Sequence, residues 1–349
     1  MEKKDASMHK STIIAAVYLR ILWTVQPLQS IAEAHCLGRR IGQQTGDVLH
    51  TTLNWQQSIT TSYIAGDCLD KVKANSADFI QTMQSQKIRT AVGNSIFLFH
   101  QTSVLKGGLH DVLDEGEGNN IPTEQEALCQ YSNPSVLAAN NVHQLVRAYL
   151  FRQLDHLSLD TIGISDDIER NKYLLRPLVI YGLFFEGLVS FFLARQTNGS
   201  EQRARWIGKG ENVLTKMKYW SEHSSWNWES KMVLLEAEKM YTVGNFEQAS
   251  LFYEKAMHSA HEHKFINDEA IASELAGVFF CKRELHAKAQ SILLHAVQCY
   301  KTWGALAVAK RVETFIANKY GSDCLQQRHI AGDCTIATSD STSMKKRPL

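Results

Sequence analysis

Residues 231–263 and 271–303 carry one pattern of small and large apolar residues at a constant offset. Ala237 pairs with Gly277, Ala249 with Ala289, Tyr253 with Leu293 and Ala256 with Ala296, each 40 positions apart. Within each second helix the small, large and small positions step by four and then three, so all three share one helical face. A small residue on the first helix lets the second approach closely, and the flanking alanines form a groove and knob for the next partner. In "NDEAIASELAGVFF", residues 267–280, Ala276 and Gly277 thus form a packing notch rather than a defect. A hairpin built this way leaves an apolar face that only a neighbouring hairpin can bury. The pattern demands helix stacked on helix.

Composition agrees. Of 349 residues, five are proline (27, 122, 134, 177 and 348), a scarcity that suits helices. Asn133-Pro134 reads as a helix start, with Asn133 as cap. Lys plus Arg total 37 against 36 acidic residues. That balance provides no field for nucleic acid or an anionic membrane, so neither is an expected partner. The seven cysteines (36, 68, 129, 281, 299, 324 and 334) are scattered and odd in number, which predicts reduced thiols and a cytoplasmic protein. The apolar stretch "STIIAAVYLRILWTVQPLQSIA" is interrupted by Arg20, Gln26, Pro27 and Gln29 before about 20 clean residues accumulate. It is expected to be a buried helix.

The periodicity predicts helices over 9–25, 28–44, 47–64, 68–84, 88–106, 134–153, 174–195, 201–222, 227–243, 246–263, 268–283, 286–302 and 304–319. Tight turns such as "TGD" at 45–47, "AGD" at 65–67 and "VGN" at 243–245 join them, an all-α pattern. The expected organisation is a disordered 1–8, N-terminal helical repeats over 9–106, an exposed acidic, Gly-rich connection over 107–132, C-terminal repeats over 133–320, and a disordered tail over 321–349.

The stretch "VLLEAEKMYTVGNFEQASLFYEKAMHSA" resembles a tetratricopeptide repeat. Ala237, Gly244, Phe246, Ala249, Tyr253 and Ala256 fall where that motif places small, glycine, aromatic, alanine, aromatic and alanine residues. The second copy keeps Gly277, Ala289, Leu293 and Ala296 but has Glu284 at the turn glycine. The resemblance implies a right-handed α-solenoid of such hairpins; a non-repetitive helical bundle is the alternative.

A narrower resemblance covers about 227–315. "KMVLLEAEKMY", "EQASLFYEKAMHSAHEHKFINDEAIASELAGVFF" and "AKAQSILLHAVQCYKTWGALAVAKRVE", with the "Y..WGA" close formed by Tyr300, Trp303, Gly304 and Ala305, are similar to the helical region of large multidomain sensory kinases. There, serine/threonine-kinase-like and AAA-type ATPase domains precede the helical region, and GAF and histidine-kinase domains follow. The resemblance implies a connecting or scaffolding segment, either of a stand-alone relative or of a larger protein, with kinase or ATPase domains as candidate partners.

Catalytic motifs do not accompany it. No G-x-x-x-x-G-K-[ST] occurs, and "GKGEN" at 208–212 lacks its order. Kinase catalytic-loop and D-F-G motifs are absent as well. In "HEHKF" at 261–265, His261 invites a phospho-acceptor reading, but a histidine ending a helix is explained by the dipole. Cys324, His329 and Cys334 have no familiar zinc spacing. Asp268 and Glu269 suit a helix start, and Tyr300 with Trp303 suits core packing. "KKR" at 345–347 decides nothing.

No catalytic, cofactor or metal residue is assigned, and no enzymatic activity is expected. The expected function is protein–protein contact or signal relay, with a peptide or domain in the concave groove. A co-chaperone adaptor clamping carboxylate-ended peptides is one alternative; phosphotransfer through His261 is another. The oligomeric state is left open.

Overall fold

Runs of strong helix formers separated by turns of a few residues generate nearly every element. The computed structural model describes residues 9–18, 20–88, 92–107, 121–131, 133–154 and 176–321. Among these residues all regular structure is helical. In chain order the helices are α1 (Leu28–Thr45), α2 (Val48–Ala65), α3 (Leu69–Ser85), α4 (Val92–Gly107), α5 (Glu124–Gln130), α6 (Pro134–Leu150) and α7 (Arg176–Gln196). They continue as α8 (Ser200–His223), α9 (Ser225–Thr242), α10 (Phe246–Glu262), α11 (Ile266–Lys282), α12 (His286–Trp303) and α13 (Leu306–Tyr320). Neighbours pack as hairpins: α1 on α2, α7 on α8, α9 on α10, α11 on α12.

The helix starts follow local chemistry. Asn133 accepts from the backbone N–H groups of Ser135 and Val136, with Pro134 at the first helical position, as the sequence predicts. Two expectations are corrected. The continuous helix over 9–25 gives way to a π turn at Ile14–Tyr18 and a 3-10 turn at Leu22–Thr24. Tertiary bonds draw the chain out there: Asn227 Nδ2 donates to the carbonyls of both Trp23 and Gln26, each at 2.9 Å. The exposed connection over 107–132 contains α5, started by a capping box in which Thr123 and Glu126 satisfy each other's backbone N–H groups. Ile121 and Ala127 anchor this segment in the interior. The disordered segments expected at 1–8 and in the tail beyond 321, with Cys324, His329, Cys334 and "KKR", lie outside the described residues, as does most of the Gly-rich stretch.

The two halves of the chain pack on each other. α13 lies against α4, and α2 against α7. Tyr63 of α2 sits at the seam, its ring centroid 5.9 Å from Tyr181 and 6.2 Å from Trp303. All three rings are fully buried, each worth about 1.5–3 kcal/mol of apolar burial. Gly66, at φ +84°, closes α2 beside α11, where a Cβ would stand 2.5 Å from Asn267 Oδ1. That position needs glycine for both its backbone and its neighbour.

α7 runs through the middle. Within its 21 residues an 18-residue window has mean hydropathy 1.8, enough by length and composition to cross a membrane, yet 89% of that window is buried within the molecule. A helix apolar on all sides is an interior helix when protein surrounds it.

Candidate interaction face and its buried polar lining

The predicted packing residues converge on the hairpin interfaces. Ala237, Ala249, Tyr253, Ala256, Ala289, Leu293, Ala296, Tyr300 and Trp303 are fully buried. Gly277 faces α12, and Gly304, at φ +95°, ends that helix. Gly244 makes the turn between α9 and α10 at φ +85°. Phe246 lies at the rim, 37% exposed, tilted against Tyr241 and Phe279 under the Arg283 guanidinium. Glu284, where the second copy lacks the turn glycine, still takes φ +62°. The left-handed turn is kept although a non-glycine residue there costs about 1–2 kcal/mol.

α11 is covered on every side; all of its residues except Ile266, Val278 and Lys282 are buried. Burial at this depth favours protein partners for its polar groups, although Ser273 Oγ has none among the described residues. Asn267 donates to the Ile64 carbonyl at 3.2 Å. Asp268 accepts from Lys231 at 2.5 Å and from Ser230 at 3.0 Å. Burial pushes the Lys231 ammonium below its ordinary range and the Asp268 carboxyl above its own, and their mutual attraction opposes both shifts. Lys231 also lies over the Phe265 ring, 4.4 Å from its centroid.

Further along, Glu274 gathers Arg152 (2.6 Å), Arg311 (2.7 Å) and Tyr300 Oη (2.8 Å). Burial alone would raise its carboxyl, but Arg311 and Arg152 outweigh it and hold the group at about 2. α9 repeats the theme: Glu238 accepts from Arg195 at 2.5 Å and from the Tyr253 hydroxyl. The void beside Arg195 and Glu238 is only about 70 Å³, far below the roughly 300 Å³ of a small-molecule pocket.

At the start of α9, Asn227 grips the strap of chain from Trp23 to Leu28. Its Oδ1 accepts from the backbone N–H of Leu28 at 2.9 Å while its Nδ2 holds Trp23 and Gln26. Ser224 adds a bond to the Trp23 carbonyl at 3.2 Å.

With so few exposed residues, α11 itself offers no open side along which a peptide could lie. Asp268 and Glu269 stand in the first turn of α11, as expected of a helix start, and each has a side-chain partner as well: Asp268 pairs with Lys231, and Glu269 with His295 Nε2 at 2.7 Å and His261 Nδ1 at 3.1 Å. "GKGEN" lies within α8, so it forms no phosphate loop. Tyr300 and Trp303 are interior groups rather than a ligand platform. The buried polar contacts missed from sequence are those of Asn227, Lys231, Glu238 and Glu274. Their one local signal is the spacing of Asn227, Lys231 and Glu238, four and seven apart and so on one face of the helix.

No family model matches the chain. It is 34% identical over 112 residues to hybrid signal transduction histidine kinase G of Dictyostelium discoideum, a stretch covering 32% of this chain and 3% of that protein. Among its described residues the chain is all-helical, and it has a partial similarity to a small part of a histidine kinase.

Proposed function

We propose that the chain is a non-catalytic helical-repeat module, a right-handed α-solenoid of tetratricopeptide-like hairpins, that makes protein contacts or relays a signal in the cytoplasm. Its partners are kinase or ATPase domains of the sensory type. The partial likeness to a hybrid histidine kinase supports the setting, and the hairpins nested through Ala237, Gly277 and Ala289 support the architecture.

The relay reading rests on Glu274. It joins α11, α12 and α13 to Arg152, which lies 122 positions earlier. Coupling of this kind needs elements that move together, and a shared buried carboxylate makes their positions interdependent. The adaptor alternative calls for lysines, arginines and asparagines that face the groove. Asn227 and Lys231 do share a face, as a carboxylate clamp would need, but Asn227 is committed to the strap and Lys231 to Asp268.

Two measurements test the proposal. Calorimetric titration with ATP is expected to give no heat of binding; tight nucleotide binding would overturn the non-catalytic reading. Immobilised chain is expected to retain purified histidine-kinase and ATPase domains and to ignore peptides ending in acidic residues. The opposite selectivity favours the adaptor.

A further inference from the structure

Two helix ends and the body of a third helix bring together four polar side chains. His261 lies in the last turn of α10, Glu269 in the first turn of α11, and His295 and Cys299 one turn apart on α12. Glu269 Oε1 is 3.1 Å from His261 Nδ1 and 2.7 Å from His295 Nε2. Cys299 Sγ is 3.4 Å from the same His295 nitrogen. One ligand atom each from Glu269, His295 and Cys299 lies within 4.8 Å of the others.

We propose that His261, Glu269, His295 and Cys299 form a binding site for one divalent transition-metal ion of the zinc type. Bonds of about 2.0–2.3 Å to nitrogen, oxygen and sulfur in a tetrahedron set ligand atoms about 3.3–3.8 Å apart. His295 Nε2 stands 2.7 Å from Glu269 Oε1 and 3.4 Å from Cys299 Sγ, and His261 Nδ1 stands 3.1 Å from Glu269 Oε1; to admit the ion the Glu269–His295 contact opens by roughly 0.6 Å, and the exposed His261 ring turns in as the fourth ligand. Two imidazoles and a thiolate select zinc-like ions over magnesium or calcium. One carboxylate and one thiolate neutralise a divalent cation, which removes the penalty of a charged, half-buried site.

Access and burial are divided usefully. Glu269 and Cys299 are buried, whereas the His261 and His295 side chains are 74% and 48% exposed, leaving an entry route. Burial, reinforced by the Glu269 charge, pushes the Cys299 thiol up to about 12. A cation in the cluster reverses that field: the Cys299 thiol gives its proton to solvent and its sulfur bonds the metal. The ion would fasten the ends of α10 and α11 to the middle of α12. The inference is independent of the relay reading.

The test uses full-length, metal-stripped protein titrated with Co²⁺. Saturation at one equivalent with a thiolate-to-cobalt charge-transfer band, displaced by Zn²⁺, is expected. Cys299→Ser should abolish the band. His295→Ala, a change at a half-exposed side chain, should weaken Co²⁺ binding by more than about tenfold with the helical circular dichroism unchanged. Cys324→Ser with Cys334→Ser should leave the band intact. The proposal is overturned if the wild type shows no thiolate band, if the band survives Cys299→Ser, or if it disappears with Cys324 and Cys334.

Discussion

Gly277 and Leu293 meet where α11 crosses α12, so closely that a Cβ on Gly277 would stand 2.6 Å from Leu293 Cγ and 3.3 Å from the Leu293 backbone nitrogen. Gly277→Ala is therefore expected to destabilise the chain by about 1–3 kcal/mol through overpacking. Gly208→Ala supplies the contrast. It lies in α8 with open space around the added methyl and should stabilise by about 0.5–1 kcal/mol. Urea denaturation of both variants measures the difference.

Lys231 and Asp268 should behave as a unit. Lys231→Met leaves a buried carboxylate without its cation and is expected to cost about 3–5 kcal/mol, whereas the double variant Lys231→Met, Asp268→Leu should recover most of that loss. A double-mutant cycle by denaturation reads the coupling. Additive losses would show that the pair contributes little.

Glu274 predicts an acid-sensitive component of stability. Its carboxyl sits at about 2 in the folded chain against an ordinary 4.5, so the contribution is complete above about pH 4.5 and is lost as pH falls toward 2. The shift corresponds to on the order of 3 kcal/mol. Glu274→Gln should flatten the stability–pH curve across that window, measured by denaturant midpoints from pH 6 to 2.

Asn227 holds the strap by three bonds at 2.9 Å. Asn227→Ala is expected to cost about 1–3 kcal/mol through the buried groups left unpaired. Amide exchange should accelerate first at Leu28, ahead of the helical amides of α11. Uniform acceleration across both would mean that the strap and α11 open together.

Much of the architecture was legible because packing imprints a local period. The spacing of Ala249, Tyr253 and Ala256 requires only a helix and a neighbour. The Asn133 cap and the Thr123–Glu126 box are likewise local, although the acidic, Gly-rich surroundings hid the box. The buried ion pairs were not legible, since Lys231 gives no sign that its partner lies 37 positions away. The strap was harder still: only the fold shows that Asn227 will break the periodicity of Trp23. His261, Glu269, His295 and Cys299 each had a sufficient local explanation, and their meeting depends on how α10, α11 and α12 converge.

The bond from Asn227 to Trp23 spans 204 positions. At the usual 5–20 residues per second, a ribosome makes Asn227 about 10–40 s after Trp23. During that interval the first helices exist without the surface that will cover them. Open arrays can mature vectorially, unit by unit, from the exit tunnel; this chain cannot close its first turn until its second half has been translated.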